Sequence, residues 1–556
     1  MTDPEIRPAD DWWRSAVVYQ VYPRSFADAD GDGTGDVNGI RARLRYLAEL
    51  GVDAIWISPW YPSPLLDGGY DVADYRDINP EFGTLADADA LIAEAHALGL
   101  RILIDLVPNH CSWEHPWFKA ALAADKGSPE RDLFWFRDSE DGLPPTNWPA
   151  AFGGGAWQQI DDGQWYLHLF DISQPDWNWD NPKVIEEFDA ILRFWFDRGV
   201  DGFRIDVADS MAKDPALPDV PLHNGEPTRE KYVGNPFYDQ PGVHTIHQRW
   251  RAIADEYADT PQGPRVFVAE AWLSPAERLA QYVRPHELHS AFNFDALRAA
   301  WDAKELREVI DHTTDNLWAV GAPATWVLSN HDTIRHRTRY GRDHRDALEG
   351  AGVVPTDLEL GLRRARAAAL LELALPGGAY IYQGDELGLP EVEDLPEDVL
   401  DDPTWERSGH TVRGRDGCRV PIPWSGSEPP YGFSAIRKPA PPPNRPGTAQ
   451  PWLPQPSDWA GLTAEAQAGD PGSHLSLYKA ALKIRHEHPA LGEGRLAWDP
   501  DAAEGILSFT RDPGFRCVVN ASDSAIALPA HEKVLLSSEP LPNGELPVDT
   551  TVWLQV

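Results

Sequence analysis

The chain is poor in cysteine, in basic residues and in long apolar runs. Its 556 residues include only three cysteines, Cys111, Cys418 and Cys517, which lie far apart and in no metal-ligand spacing. This argues against a disulfide framework and favours a reducing compartment. The chain has 49 basic and 88 acidic residues, which gives a formal net charge of −39. Because such a charge repels phosphate backbones and anionic membrane surfaces, we expect no nucleic-acid partner.

The N-terminus, MTDPEIRPADDWW, has neither a basic start nor an apolar stretch. It therefore does not match a secretory signal peptide, and no later segment is long and apolar enough to span a bilayer. We expect no membrane partner and a cytoplasmic location. Tryptophan, by contrast, is abundant, with 24 residues. Its flat faces pack against sugars as well as inside large cores, so its abundance alone leaves both interpretations open.

Short β-rich runs alternate with segments whose apolar residues recur at helical spacing. The candidate strands are residues 17–23, 54–59, 101–107, 202–207, 265–271, 290–294, 325–329 and 379–383. The helical segments between them include residues 85–98, 184–198 and 360–374. Eight strands with helical crossovers predict an α/β fold, a (β/α)8 TIM barrel, rather than a doubly wound sheet, whose strands are usually fewer.

Two insertions and a tail accompany the predicted barrel, which takes up residues 1–109 and 175–490. The connection after the third strand is long and rich in Trp, Gly, Pro and Asp, so we assign residues 110–174 to an inserted subdomain over the barrel mouth. A second insertion, near residues 389–458, is dense in proline and charge and is expected to be irregular. Residues 491–556 consist of short β-rich runs and turns, which predict a C-terminal β-sandwich domain.

Three acidic residues stand where predicted strands end: Asp206 in GFRIDVADS, Glu270 in RVFVAEAW and Asp332 in VLSNHDTIR. An ionisable group at such a place is costly to bury without a partner, so it indicates a site. Arg204 lies on the same strand face as Asp206 and is expected to keep it ionised. The apolar neighbours of Glu270 favour its protonation. The three residues together indicate an enzyme that works through carboxylates.

Five motifs, taken in order, resemble the α-amylase superfamily of retaining α-glycosidases, near its oligo-1,6-glucosidase and α-glucosidase branch. They are DLVPNH at 105–110, QPDWNWD at 174–180, GFRIDVA at 202–208, VAEAW at 268–272 and SNHD at 329–332. The resemblance extends over nearly the whole chain. It implies that Asp206 is the nucleophile, that Glu270 is the general acid/base, and that Asp332 binds the substrate and steadies the transition state.

The same resemblance implies residues that bind a terminal glucose. His110 and His331 would donate hydrogen bonds to sugar hydroxyls, Asp67 would bind a hydroxyl, and Tyr70 would stack on the ring. Arg419 in RGRDGCRVPIPW resembles the arginine that pairs with Asp67 and closes the pocket, although VPIPW replaces the family's Thr-Pro-Met-Gln-Trp run. A closed pocket admits only a chain end, which predicts exo-action on short glucosides. The alternative is that Asp67 only caps a turn.

The segment DADGDGTGD at 28–36 is a metal-like motif. Its candidate ligands are the carboxylates of Asp28, Asp30, Asp32 and Asp36 and the carbonyl of Thr34. They recur at alternating positions around a glycine-bent loop, as calcium prefers, but Gly39 replaces the glutamate that ends an EF-hand loop. The family resemblance implies a structural Ca²⁺, or sometimes Mg²⁺, remote from the active site. The alternative is a solvated acidic turn, and we expect no catalytic cofactor.

Linkage preference depends on few residues. Val207 follows the nucleophile, as in α-1,6-acting enzymes of the family, but residues 208–210 depart from the oligo-1,6-glucosidase continuation and resemble actinobacterial α-glucosidases. We therefore expect α-1,4 activity slightly ahead of α-1,6. A transglycosylase, a sucrose-acting enzyme or an isomerase, such as a trehalose or isomaltulose synthase, would share every catalytic residue. A non-catalytic, transporter-associated relative would have lost the carboxylates, which are all present here.

Overall fold

The computed structural model describes residues 9–139, 142–273, 276–343, 354–434 and 450–556. Its largest sheet has eight strands, β1 (Val17–Val21), β2 (Ala54–Ile57), β3 (Arg101–Leu106), β4 (Gly202–Ile205), β5 (Val266–Ala269), β6 (Ser290–Ala291), β7 (Thr325–Val327) and β8 (Gly378–Tyr382). Their order is β6-β5-β4-β3-β2-β1-β8-β7, and every pair is parallel. The strands follow chain order around the sheet, and the first strand, β1, lies beside the last, β8. This is the order of a nearly closed (β/α)8 barrel, so the predicted fold class is confirmed.

Helices form the outer layer of the barrel. They are α1 (Val37–Leu50), α2 (Leu85–Ala97), α3 (Pro182–Asp197), α4 (Gly242–Asp255), α5 (Leu279–Tyr282), α6 (Ala303–Ala319), α7 (Leu358–Ala374) and α8 (His474–Glu487). Their starts follow local chemistry: Thr84 and Asp87 form a capping box on α2, and Asn181 caps α3 before Pro182. None of the helices in the described ranges is long and apolar enough to cross a membrane.

The predicted subdomain between β3 and α3 has its own small structure. A helix (Pro116–Ala123) precedes a three-stranded antiparallel sheet of Phe136–Arg137, Trp157–Gln159 and Trp165–Leu167. The long connection after β4 packs on it, since Trp148 and Trp157 share an apolar cluster with Phe237. The indole of Trp148 also donates to the carbonyl of Pro218 at 2.8 Å. The wall of the barrel mouth therefore combines two connections, of which the sequence indicated only the first.

The second insertion is irregular where the structure describes it. Between residues 389 and 434 it holds only three short helical turns, at Glu397–Val399, Pro403–Arg407 and Asp416–Cys418. The proline run APPPNRP at 440–446 lies outside the described residues. The last turn carries two arginines, Arg415 and Arg419, on either side of it, and both side chains extend towards the barrel mouth, where they contact Asp332.

The C-terminal region is all-β, as predicted. Its five-stranded antiparallel sheet consists of Ala497–Trp498, Ile506–Arg511, Phe515–Asn520, Lys533–Ser537 and Thr550–Gln555, and a two-stranded sheet pairs Ile526–Ala527 with Glu545–Leu546. The last strand is fixed to α7: the indole of Trp553 donates to the carbonyl of Leu370 at 3.0 Å, and the Thr551 hydroxyl donates to that of Ala367 at 2.8 Å. The tail thus supports the barrel from outside and lies away from its mouth.

Candidate active site

The three predicted carboxyls lie at the carboxyl ends of barrel strands. Asp206 directly follows β4 and Glu270 directly follows β5, where Ile205 and Ala269 are register partners. The backbone ladder continues past both strands, because the Glu270 N–H donates to the Ile205 carbonyl at 2.9 Å. Asp332 stands five positions after the last residue of β7. Side chains at this end of a (β/α)8 barrel face the mouth, where such enzymes carry out their chemistry.

A single buried arginine holds three carboxyl groups together. Arg204 Nη1 lies 2.6 Å from Asp206 Oδ1 and 2.7 Å from Asp105 Oδ1, and its Nη2 lies 2.9 Å from Glu270 Oε2. Asp105 is also fixed by the indole of Trp56, which donates to Oδ2 at 2.8 Å. The sequence predicted the contact between Arg204 and Asp206 but not the role of Asp105. Strand register carries that signal, since Asp105 is the β3 partner of Arg204.

The shared guanidinium leaves this cluster short of positive charge. Burial raises the pKa of Asp206 well above its ordinary value; Arg204 opposes that rise, while Glu270 and Asp105 add to it. Burial likewise raises the pKa of Asp105 to about 6, against the effect of Arg204. Because three neighbouring carboxyls cannot all ionise cheaply beside one arginine, the cluster retains a proton to higher pH than isolated carboxyls would.

The surroundings of Glu270 differ from the apolar ones predicted. Its Oε2 accepts the backbone N–H of Val207 at 3.0 Å and its Oε1 accepts the indole N–H of Trp272 at 2.8 Å, in addition to the contact with Arg204. Val207 has φ of +42°, which is strained for a β-branched residue. The tight backbone turn after Asp206 presents the Val207 N–H to Glu270, and the neighbouring sequence does not reveal this contact.

Asp332 is held by two arginines from the second insertion, and the predicted partner of Asp67 is wrong. Arg415 Nη2 lies 2.7 Å from Asp67 Oδ1, and its Nη1 lies 2.8 Å from Asp332 Oδ1. Arg419 instead donates to the His331 carbonyl at 2.9 Å and lies 3.2 Å from Asp332 Oδ1. The turn at Asp416–Cys418 reverses the chain between the two arginines, so the earlier one reaches Asp67.

These groups form what we call the closed pocket: Asp67, Asp332, Asp402, Arg415 and Arg419. Arg415 also hydrogen-bonds Asp402 through Nε, so it bridges three carboxylates. Burial would raise the pKa of Asp332, but the facing His331 and the two arginines hold it well below its ordinary value. Asp332 therefore stays ionised, and the bridge across Asp67 and Asp332 closes one end of the site.

His331 is fixed as a neutral donor. The Gln20 amide lies 2.7 Å from His331 Nδ1, so Nδ1 accepts and Nε2 carries the hydrogen. The ring stacks on Tyr70, with centroids 5.2 Å apart and planes 5° apart. Burial lowers the pKa of His331 to about 3, so the ring is uncharged. Its Nε2–H lies 3.3 Å from Asp332 Oδ2 and can donate to a bound hydroxyl.

His110 and Tyr70 line the same pocket. The Asn109 amide donates to His110 Nδ1 at 3.2 Å, which leaves the hydrogen on Nε2, 3.2 Å from the Tyr70 carbonyl. Burial lowers the pKa of His110 to about 4. Tyr70 Oη donates to Asp105 Oδ2 at 3.2 Å. The Gln174 amide, which the sequence did not single out, donates to Asp67 Oδ2 at 2.9 Å and so orients that carboxylate together with Arg415.

A second space adjoins Glu270, and we call it the open cavity. It measures about 540 Å³ and is lined by Val207, Lys231, Glu270, Trp272, Phe294 and Arg298, among others. Trp272 stacks on Phe294 with ring centroids 3.6 Å apart, and the Arg298 guanidinium lies 4.3 Å from the Trp272 ring centre. The motifs at 202–208 and 268–272 contain Val207, Glu270 and Trp272, but no motif pointed to Lys231, Phe294 or Arg298, which come from other parts of the connections.

The acidic loop before α1 fits a cation in part. Carboxylate oxygens of Asp28, Asp30 and Asp36 lie within 4.8 Å of one another. Burial, together with repulsion from neighbouring aspartates, raises the pKa values of Asp32 and Asp36, and a bound cation would relieve that repulsion. Asp32 does not belong to the converging group, and its Oδ1 accepts the N–H of Thr34 at 2.8 Å. The hard oxygen donors suit Ca²⁺ or Mg²⁺.

Comparison with known proteins agrees with this geometry. A family model described as the alpha-amylase catalytic domain matches residues 20–494. The chain is 38% identical over 541 residues to a probable alpha-glucosidase of Rhizobium meliloti, covering 94% of this chain and 92% of the relative. It is 36% identical over 538 residues to an oligo-1,6-glucosidase of Parageobacillus thermoglucosidasius, covering 90% and 88%.

Solved structures extend the comparison beyond hydrolases. The alpha-glucosyl transfer enzyme XgtA aligns with a TM-score of 0.82 at 36% identity, covering 98% of this chain and 99% of that one. The trehalulose synthase MutB of Pseudomonas mesoacidophila aligns with a TM-score of 0.82 at 32% identity, again covering 98% and 99%. The chain belongs to the alpha-amylase family, and it is a glycoside hydrolase of that family's α-glucosidase and oligo-1,6-glucosidase branch.

Proposed function

We propose that the protein is a retaining, exo-acting α-glucosidase that releases glucose from the non-reducing end of short α-glucosides, with α-1,4 bonds slightly favoured over α-1,6. The observation that carries this proposal is the bridge of Arg415 across Asp67 and Asp332. A sugar bound against that bridge has no room for a further residue beyond it. Only the end of a glucan chain then reaches the catalytic carboxyls, which favours disaccharides and short oligosaccharides over internal bonds of starch.

The mechanism assigns a separate step to each carboxyl. Asp206 attacks the anomeric carbon, a bond forms to its oxygen, and the glycosidic bond breaks. Glu270 gives its proton to the departing oxygen in the same step. Glu270 then takes a proton from water, which attacks the anomeric carbon and frees Asp206, so the anomeric configuration is retained. Asp332, ionised beside Arg415, accepts hydrogen bonds from sugar hydroxyls and stabilises the developing positive charge.

The charge arrangement suits this division of labour. The double displacement needs an ionised Asp206 and a protonated Glu270. Burial raises the pKa of Asp206, and the Arg204 guanidinium opposes that rise. Arg204 contacts Oδ1 of Asp206, so the other oxygen is available for the attack. His331 Nε2–H is a neutral donor for a sugar hydroxyl, since its Nδ1 accepts from Gln20. His110 Nε2–H instead faces the Tyr70 carbonyl at 3.2 Å.

A transglycosylase or sucrose isomerase is the second candidate. The open cavity next to Glu270 favours it, because a cavity lined by Trp272 and Phe294 could hold a second sugar in place of water. XgtA and MutB, which align over nearly the whole chain, are an alpha-glucosyl transfer enzyme and a trehalulose synthase. The two candidates share every catalytic group and differ in what intercepts the glycosyl-enzyme intermediate.

Incubation with maltose, isomaltose, sucrose and trehalose in parallel tests the proposal, with products followed by chromatography. We expect glucose from maltose and, more slowly, from isomaltose. Asp206→Ala should lower the rate by roughly 10⁴-fold or more, as loss of a nucleophile does in other hydrolases. Formation of new disaccharides without net glucose would contradict the hydrolase and support the transglycosylase or isomerase. Release of glucose by Asp206→Ala at the wild-type rate would refute the assigned nucleophile.

We also propose that the acidic loop at residues 28–36 holds a structural Ca²⁺, or Mg²⁺. Chelation should lower the melting temperature by a few degrees, and adding back Ca²⁺ should raise it again. Asp28→Asn should melt at the lower temperature with or without Ca²⁺, whereas Asp74→Asn, in an exposed turn, should respond as the wild type does. Equal responses of Asp28→Asn and the wild type to Ca²⁺ would contradict this assignment.

A further inference from the structure

A histidine pair and a glutamate meet behind the segment that carries the nucleophile. His244 and His247 lie one turn apart on α4, and Glu287 lies in the connection between α5 and β6. Glu287 and His247 are fully buried, and the His244 side chain is 15% exposed. Ligand atoms of all three lie within 4.8 Å of one another, so three side chains from two distant segments converge on one point.

The hydrogen on the His247 ring is fixed by a backbone group. Its Nε2 lies 3.1 Å from the Ala208 carbonyl, which can only accept, so Nε2 carries the hydrogen and Nδ1 presents a lone pair. Among the described residues no hydrogen-bond partner reaches Nδ1, which faces Glu287 Oε2 at 3.7 Å. Two acceptors facing each other in a buried place call for a cation between them.

Glu287 is arranged to share one oxygen with the histidines. Its Oε1 accepts from Arg284 Nη2 at 2.6 Å and from the Gln248 amide at 3.0 Å. Its Oε2 faces His244 Nδ1 at 3.1 Å and His247 Nδ1 at 3.7 Å. Metal-bound carboxylates are commonly oriented in this way, with outer donors on one oxygen and the ion on the other.

The spacing of these atoms fits a four-coordinate ion. Bonds of about 2.1 Å in a tetrahedral site place the ligand atoms ~3.4 Å apart. The observed separations of 3.1 and 3.7 Å lie on either side of that value. We propose that His244 Nδ1, His247 Nδ1 and Glu287 Oε2 bind one Zn²⁺, with water completing the shell on the partly exposed side of His244. Two imidazoles and one carboxylate select such an ion over Ca²⁺ or Mg²⁺.

The ion would connect α4 to the segment just beyond Asp206. His247 holds the Ala208 carbonyl, and the Ala208 N–H donates to the Glu270 carbonyl at 2.8 Å. The site is therefore linked to the segment after Asp206 through Ala208, but none of its ligands contacts Asp206 or Glu270 in the described structure. Its expected effect is on stability and on the order of this segment.

Metal binding to the untagged, chelator-treated protein tests the proposal, in buffer with excess Ca²⁺ to saturate the acidic loop. We expect one equivalent of Zn²⁺ by calorimetry and elemental analysis, and a rise in melting temperature on adding Zn²⁺. Co²⁺ used as a probe should give the visible absorption of a four-coordinate ion. His244→Gln and His247→Gln should each weaken Zn²⁺ binding by more than the roughly 10- to 100-fold that loss of an outer partner costs.

A surface histidine supplies the matched control. His531 is exposed and lies outside this cluster, so His531→Gln should bind Zn²⁺ as the wild type does. His244→Gln is the decisive variant, because its side chain is partly exposed and an amide can still donate to Glu287, so the fold is expected to persist. The proposal is overturned if the wild type takes up no Zn²⁺ in excess Ca²⁺, or if folded His244→Gln binds it with unchanged affinity.

Discussion

The closed pocket and the open cavity are built by different interactions. In the closed pocket, Arg415 bridges Asp67, Asp332 and Asp402, so charges of opposite sign fix one another at short distance. The open cavity is bounded by stacked aromatic rings, by Arg298 and by Glu270, the proposed acid/base. Buried ion pairs of this kind tolerate little change in position, whereas aromatic walls accept ligands of varied shape.

This difference suggests where the protein would recognise the sugar at the cleaved bond and where it would recognise the group attached to that sugar. Under the proposed function, the closed pocket would recognise the sugar whose bond is broken, because polar groups that bind hydroxyls reject a ligand that leaves them unpaired. The open cavity would receive the group attached to that sugar, and its apolar contacts would discriminate weakly. Enzymes related to this one can therefore share the first sugar and differ in the second, as the names of the hydrolases and synthases that align with it illustrate.

Arg415→Ala should have the largest effect, because it opens the closed pocket. Removing one partner of a buried, hydrogen-bonded charge pair costs about 2–5 kcal/mol, which corresponds to a loss in kcat/KM of roughly 30-fold to several thousand-fold. The loss should appear for maltose, while the relative rate on longer maltodextrins should rise as the end of the pocket opens. Steady-state kinetics on a series of chain lengths measure both.

Arg419→Ala is the matched comparison. Arg419 donates to the His331 carbonyl and does not reach Asp67 in the described contacts, so its loss should lower the melting temperature more than it changes the preference for chain length. If Arg419→Ala opened the enzyme to longer chains and Arg415→Ala did not, the pairing of Arg415 with Asp67 would not be what closes the pocket.

Arg204→Gln and Arg298→Gln remove the same charge from the catalytic cluster and from the open cavity. Arg204 opposes the rise in the pKa of Asp206, so its removal should raise that pKa further. Since the proposed nucleophile must be ionised, the acid limb of the activity profile should then move to higher pH. Arg298 stacks on Trp272 and contacts no catalytic carboxyl in the described structure, so the acid limb should stay in place.

The pH dependence of kcat/KM measures this comparison, with each variant normalised to its own maximum. A displaced acid limb in Arg298→Gln would mean that the open cavity sets the ionisation of Asp206. If the acid limb of Arg204→Gln coincided with that of the wild type, Arg204 would not control the ionisation of Asp206.

The barrel and its carboxyls could be predicted because they depend on local patterns. Apolar runs bounded by turns gave all eight strands, and Asp206 and Glu270 follow β4 and β5 without a gap. Side-chain direction in a strand also placed Arg204 beside Asp206. What the pattern left out was Asp105, because its importance comes from pairing with Arg204 across strands rather than along one.

The rest of the site depends on chain reversals and on contacts between distant segments. A single helical turn decided that Arg415 and not Arg419 reaches Asp67. The open cavity combines residues around 207, 231, 272 and 294, whose connections have no regular period. The His244 and His247 pair could have been noticed from its spacing, but its glutamate lies 40 positions further along and follows no motif. Tertiary structure alone brings these groups together.

Val207 lies where the two regions meet, and its replacement should have the smallest effect. Its backbone N–H fixes Glu270 and its side chain lines the open cavity. Val207→Thr keeps the β-branched shape and the backbone at φ of +42°, so Glu270 stays in place, while the new hydroxyl adds a donor to the cavity wall. We expect the ratio of kcat/KM for maltose to that for isomaltose to rise a few-fold, or about 0.5–1 kcal/mol.

Val207→Ile controls for size, since it enlarges the side chain without adding a hydroxyl. It should lower both rates and leave their ratio within about twofold of the wild type, because an added methylene is felt by both second sugars. A ratio that moved equally in Val207→Ile and Val207→Thr would attribute linkage preference to the volume of the open cavity. A ratio that changed in neither variant would attribute linkage preference to the stacked rings of Trp272 and Phe294, which also line the open cavity, and not to the residue after Asp206.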